Sequence, residues 1–183
     1  MLAGRFRYKN LSFIYDIDYV KLGYNRVPSG RLGDYLSADL IAKTFNGDFD
    51  IGYKLPEENH KLMLEAYVGT RITSLNNTLT FHGPFDSLRS WGGTKTWVDP
   101  IIGIDANYDF SKKWFTYFKA DLGGFGIASD FTWLLMGVGG YRFSKHWNST
   151  LGFKWLRVNY DKNLFLWNAS QYGFLLSVGY RLN

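Results

Sequence analysis

The chain has 183 residues, one domain's length, with 46% hydrophobic and 19% aromatic residues, 20 glycines, no cysteine and a formal charge of +5. The lack of cysteine excludes disulfides, thiol nucleophiles and cysteine metal sites, and no stretch approaches the roughly 20 apolar residues of a membrane helix. The basic residues are scattered singly through apolar–polar alternation, which argues against nucleic acid as a partner.

Met1 is followed directly by LAGRFRYKN, without the basic and apolar segments of a signal peptide, so the chain reads as cytosolic or as a mature or truncated form. Period-two alternation then runs from one end to the other, and no window of comparable length favours the helical period. Residues 12–19 set Phe13, Tyr15, Ile17 and Tyr19 against Ser12, Ile14, Asp16 and Asp18. Residues 64–73 set Leu64, Ala66, Val68, Thr70 and Ile72 against Glu65, Tyr67, Gly69, Arg71 and Thr73. The same split recurs in 98–110 and in 171–182. Nine strands are predicted, over 2–8, 11–24, 36–54, 60–74, 96–110, 114–127, 131–143, 147–160 and 171–182. Lys9-Asn10, LPEEN (55–59), SKK (111–113) and SKH (144–146) connect them tightly at one end. Mostly longer loops, the longest at 75–95, connect them at the other.

Phe-Ser-Lys-x-Trp occurs twice, at 110–114 and 143–147. Each copy is a tight turn between a strand ending in Phe110 or Phe143 and a strand beginning with Trp114 or Trp147. Aromatics flanking a polar turn suit a membrane interface, where their rings sit at headgroup depth. The outward faces are apolar along whole strands, where a soluble lipocalin-like barrel or sandwich would place polar groups. The fold class expected is all-β: an antiparallel up-and-down transmembrane β-barrel of about 8–10 strands, one domain over 1–183. Such barrels usually have an even strand count. Either a strand ahead of Met1 is missing or the count is off by one. Residues 1–8 are expected to pair with 11–24 through Lys9-Asn10.

Three segments, TWVDPIIGIDANYDFSKKW (96–114), KADLGGFGIASDFTW (119–133) and GVGGYRFSKHWNSTLGFKWLRVNYD (137–161), resemble a poorly characterised family of bacterial outer-membrane barrels of the OmpA-like/OmpW-like type. AGRFRYKNLSFIYDIDYVKL (3–22) extends the resemblance more weakly, so that it covers most of the chain. It implies a porin-like integral protein of a Gram-negative outer membrane, with the N- and C-terminal ends of the full-length protein periplasmic. Its expected partners are outer-membrane lipids and lipopolysaccharide, with an unidentified protein at the external loops. It transfers no catalytic residues. Family members begin with a further strand behind a signal peptide, and such barrels usually end on an aromatic. This chain instead ends Tyr180-Arg181-Leu182-Asn183.

The face opposite the apolar stripe carries Arg5, Arg7, Asp16, Asp18, Asp48, Asp50, Lys54, Glu65, Arg71, Asp99, Asp105, Asp109, Lys119, Asp121, Arg142, Lys154, Arg157 and Arg181. Acids and bases balance. Side chains can largely fill a barrel this small, and isolated buried ions are costly, so these charges are expected to pair across the lumen and plug it. Lys154 and Arg157 can share that face only through a β-bulge near Trp155–Leu156. Asp99 is expected to pair with Arg142 or Lys119. Leu134, Met136 and Val138 make a small inward apolar patch. His60 and His146 read as solvated turn residues. His82 lies near Ser74, Asp86, Ser87 and Ser90, a set that could form a nucleophile–base pair, although loops are rich in Ser and Asp for turn reasons. No metal or cofactor motif occurs. The expected function is a structural or passive surface role for a non-enzymatic barrel closed by paired charges. The alternatives are a narrow channel for small or hydrophobic solutes and a lipid-modifying enzyme at the rim.

Overall fold

The computed structural model describes residues 1–26, 37–56, 61–82, 88–162 and 165–182. Nine antiparallel strands form one sheet in chain order: β1 (Leu2–Tyr8), β2 (Leu11–Arg26), β3 (Ser37–Lys54), β4 (Leu62–His82), β5 (Leu88–Asp109), β6 (Trp114–Gly123), β7 (Phe131–Arg142), β8 (Trp147–Lys162) and β9 (Phe165–Tyr180). Among the described residues there is no helix. As expected, β1 pairs with the first part of β2 through Lys9-Asn10, Leu2 opposite Ile17 and Tyr8 opposite Leu11. The sheet is up-and-down and curls until Lys154 of β8 reaches Asp16 and Asp18 of β2. In the same way Asn46 of β3 donates to Gln171 of β9, at 2.9 Å.

The largest departure from the predicted strands is the β4–β5 hairpin. The expected loop over 75–95 is mostly strand. Its β4 half alternates Leu75, Leu79 and Phe81 with Asn76, Thr78 and Thr80, broken by Asn77, while its β5 half, over 88–96, carries no apolar stripe. The two halves are held by hydroxyl and amide rungs on the outer face: Ser74 to Thr96 at 2.8 Å, Asn76 to Thr94 at 2.8 Å and Thr80 to Ser90 at 3.4 Å. On the inner face Leu75 and Trp97 are buried. β6 ends at Gly123, four residues short of the expected 127, because Gly124 and Gly126 take left-handed φ of 82° and 74° and turn the chain.

Both copies of the repeated turn are built alike. Ser111 Oγ accepts from the backbone N–H groups of Lys113 and Trp114, and Ser144 Oγ accepts from those of His146 and Trp147. The hydroxyl substitutes for a backbone acceptor. The serine closes the turn, and the flanking Phe and Trp stand exposed at the strand ends.

The outer face is organised strand by strand. Apolar or aromatic residues occupy the outward positions of 11–19, 45–53, 64–72, 98–106, 114–122, 133–141, 147–155 and 172–180. None of these outward positions is charged, and apart from tyrosine and tryptophan only Thr70, Thr116 and Ser149 carry a polar group. The next outward residue toward the long-loop end is polar on six strands, in opposed pairs: Lys21 with Lys43, Ser74 with Thr96 and Arg157 with Ser170. Within each hairpin the apolar windows coincide. Between hairpins they step toward the tight-turn end. Phe45 faces Ser74 and not Ile72, Ala106 faces Phe118 and not Trp114, and Trp133 faces Arg157 and not Trp155. A stagger always in one sense is that of tilted strands on a curled sheet.

β1 and β9 are the edges of the sheet. Both run toward the tight-turn end, so neither can pair antiparallel with the other. By hydrogen exchange, alternate amides of β9, those aimed away from β8, should exchange fast while their neighbours stay protected. Uniform protection along β9 would mean that another strand covers this edge.

Candidate functional site

Curling brings the inner residues of distant strands together at mid-height, and the central member is Arg71. Its side chain is fully buried. Nε and one terminal nitrogen donate to the two oxygens of Asp48, both at 2.8 Å. That same nitrogen donates to Asp121 Oδ2 at 3.0 Å, and the other reaches Thr132 Oγ1 at 3.2 Å. Asp48 of the neighbouring β3 thus supplies the fork for the guanidinium, and the bidentate geometry fixes its plane. The Tyr67 hydroxyl donates to the same Asp121 oxygen at 3.0 Å. Beside this group Lys119 Nζ donates to Asp50 Oδ2 at 2.9 Å and stands 4.7 Å above the Tyr67 ring.

A second group lies toward the tight-turn end. Arg5 donates to Asp105 at 2.6 Å and to Glu65 at 3.3 Å, and Arg7 donates to Glu65 at 2.7 Å. A third pairs Lys154 with Asp16 and Asp18. Glycines make room for these contacts. A Cβ on Gly103 would come within 2.5 Å of the Tyr67 ring, and one on Gly69 within 2.1 Å of Asp50 Oδ1. Together Arg5, Arg7, Asp16, Asp18, Glu65, Arg71, Asp105, Lys119, Asp121 and Lys154 form a belt of paired charges across the concave face.

Four expected members sit elsewhere. Arg157 is on the outer face: the β7–β8 and β8–β9 registers run unbroken through it, no bulge shifts the phase, and it donates to Asn159 and Asn168. Arg181 lies past the end of β9, exposed, with its backbone bonded to His146. Asp99 is fully buried, but its oxygens accept from the Trp97 indole at 3.0 Å and from the Ser129 backbone N–H at 2.7 Å. Its expected cation partners are engaged elsewhere, Lys119 with Asp50 and Arg142 with Asp109. Asp99 therefore ties the β6–β7 connection to β5. Arg142 is inward but near the rim, 2.6 Å from an Asp109 that is 42% exposed, with its guanidinium over the Phe115 ring.

On the long-loop side of the belt Leu75, Trp97, Leu134, Met136, Leu156, Val158 and Tyr160 pack into an apolar cluster, with the Trp97 and Tyr160 rings 4.5 Å apart. On the tight-turn side a cavity of about 470 Å³ is lined by Arg5, Phe115, Tyr117, Val138, Arg142 and Leu175 among others. Tyr67, Tyr117 and Thr132 were absent from the predicted site because they carry no charge. Alternation alone had already placed Tyr67 between Glu65 and Arg71.

The proposed nucleophile–base set is not assembled among the described residues. Ser74 and Ser90 serve as hairpin rungs, while the His82 side chain, Asp86 and Ser87 lie outside the described residues, as does His60. His146 stacks on Tyr180 and contacts the Arg181 carbonyl. No group of three or more metal-ligating side chains occurs among the described residues. No protein-family model, curated protein or solved structure matches the chain.

Removing the Arg71 guanidinium leaves two buried carboxylates unmatched, so Arg71→Met should lower stability by about 3–5 kcal/mol. Arg142→Leu removes a half-exposed pair and should cost under about 1 kcal/mol. Urea midpoints followed by tryptophan fluorescence check both. Equal midpoints for the two variants would contradict the central place given to Arg71.

Proposed function

We propose that the protein is a small integral β-barrel of a bacterial outer membrane, with a structural or passive surface role and a lumen closed by its own charges. The observation that carries this reading is the set of outward apolar windows. Each is nine residues long, and a tilted transmembrane β-strand needs about 9–11 residues to cross the hydrocarbon. Rings collect at both ends of the windows, as girdles do at the two interfaces. Trp114 with Tyr141 and Trp147 with Tyr180 stand at the tight-turn end, and Trp133 with Trp155 at the other. Exposure favours the same reading. Phe174 and Leu176 are 85% and 81% exposed, an arrangement that water penalises and lipid does not.

In hydrocarbon a sheet cannot leave edges unpaired. Because β1 and β9 run in the same direction, the membrane form takes one ascending strand between them, or some other odd number. The closed-lumen reading rests on the belt: Arg71 and Asp99 at one level, and Glu65 and Asp105 at a second level nearer the tight turns, are inaccessible to solvent across any axial path. A selective pore would also carry a ring of one sign, whereas the first of these levels alternates Asp48, Arg71 and Asp121.

Unboiled protein should migrate differently from boiled protein on SDS gels, and extraction from cells should require detergent. Unchanged mobility together with solubility in plain buffer would sink the membrane reading. Leu151→Arg, at the middle of the β8 window, should destabilise by about 2–4 kcal/mol, and Thr94→Arg, beyond the polar border, by about 0–1. Steady conductance of the native protein in planar bilayers would replace the plug by a channel.

A further inference from the structure

We infer that the rim carrying the tight turns binds anionic phospholipid headgroups, with Lys9, Lys112, Lys113 and Lys145 facing their phosphates. This rests on the membrane reading above and gives that reading one named lipid class. The starting point is where the net charge of +5 resides. The inner belt does not supply it, since each of its cations is matched by at least one carboxylate.

Four of the remaining cations stand in the tight turns. Lys9 occupies the β1–β2 turn, Lys112 and Lys113 the β5–β6 turn and Lys145 the β7–β8 turn, and all four are exposed. These three turns read Lys-Asn, Phe-Ser-Lys-Lys and Phe-Ser-Lys-His, with no acid among them, whereas the fourth tight connection, LPEEN (55–59), carries Glu57 and Glu58. The adjacent carboxylate, Asp109, is already held by Arg142 at 2.6 Å. Fixed like charges around one narrow rim repel each other within the screening length of about 8 Å unless anions lie between them.

Geometry favours a lipid phosphate as that anion. Each lysine stands next to an exposed ring: Lys9 beside Tyr8, Lys112 and Lys113 between Phe110 and Trp114, and Lys145 between Phe143 and Trp147. Two of the ammonium groups lie over aromatic faces, Lys9 at 5.5 Å from the Tyr8 ring and Lys113 at 6.0 Å from the Tyr141 ring. Rings at headgroup depth set the turn backbone at the interface, and a lysine stem from that level reaches the phosphate layer. The turns are rigid, because Ser111 and Ser144 close them with paired hydrogen bonds. Lys9 also holds a left-handed φ of 55°, where glycine or asparagine would sit with less strain. A charge is kept there at a conformational cost.

The test uses the full chain folded in zwitterionic detergent micelles, with lipids brominated on their acyl chains as quenchers of the rim tryptophans Trp114 and Trp147. At equal mole fraction, brominated phosphatidylglycerol should quench severalfold more than brominated phosphatidylcholine. The difference should vanish in 1 M salt, where screening acts within about 3 Å. The variant carrying Lys9→Gln, Lys112→Gln, Lys113→Gln and Lys145→Gln should lose the preference while keeping its far-ultraviolet strand signal. Equal quenching by the two lipids, a preference that survives high salt, or one that survives in the variant would overturn the inference. If the variant fails to fold, the salt series on the native protein decides alone. Quenching by neither lipid would fail the membrane reading itself, and this inference with it.

Discussion

A guanidinium buried at mid-height must have its donors met, and Arg71 constrains the rest of the inner face accordingly. Asp48 on one neighbouring strand and Asp121 two strands away converge on it. Tyr67 donates to the same Asp121 oxygen as Arg71, Lys119 occupies the space over the Tyr67 ring, and Asp50 answers Lys119. Each link requires the strands to keep their register, because a slip of one residue turns every one of these side chains to the other face. Breaking the chain at Arg71 leaves charges where water does not reach. The glycines at 69 and 103 are part of the same constraint, since larger residues there would occupy the positions of Asp50 and Tyr67.

The outer face obeys the complementary rule. With the buried ions inside paired or, for Asp99, hydrogen-bonded, the strands present uncharged residues outward for nine residues at a time. That length and the polar border beyond it match what hydrocarbon requires of a strand. The tall β4–β5 hairpin rises past the border on hydroxyl and amide rungs, as a segment passing from an apolar layer into water would. The proposed role rests on the combination of a concave face occupied by ion pairs and an uncharged outer face.

Much of this was legible in the chain. Alternation located all nine strands, and the repeated FSKxW marked two equivalent turns, because the physics of a pleated strand and of a serine-closed turn is local. The inward set was legible too, since period two assigns faces without knowing partners. Reading failed where a partner decided the outcome. Arg157 looked inward only on the assumption of a bulge, and an unbroken register with β7 and β9 puts it outside. Asp99 looked like half of an ion pair, but the Ser129 backbone and the Trp97 indole satisfy it. The β4–β5 extension alternates only in part, through Leu75, Leu79 and Phe81, and its β5 half has no apolar stripe, so the sequence read as loop there.

The sequence by itself determined an all-β meander, its two faces and the charge content of each, because these depend on neighbours one or two residues away. The pairing of Arg71 with Asp48 and Asp121, of Lys154 with Asp16 and Asp18, and of Arg5 with Asp105 was decided only by the curl of the sheet. Curl sets which distant strands face each other across the inside. The meander itself, legible in the sequence, returns every second turn to the same end and so sets Lys9, Lys112, Lys113 and Lys145 on one rim; which inner charges meet was left to the curl.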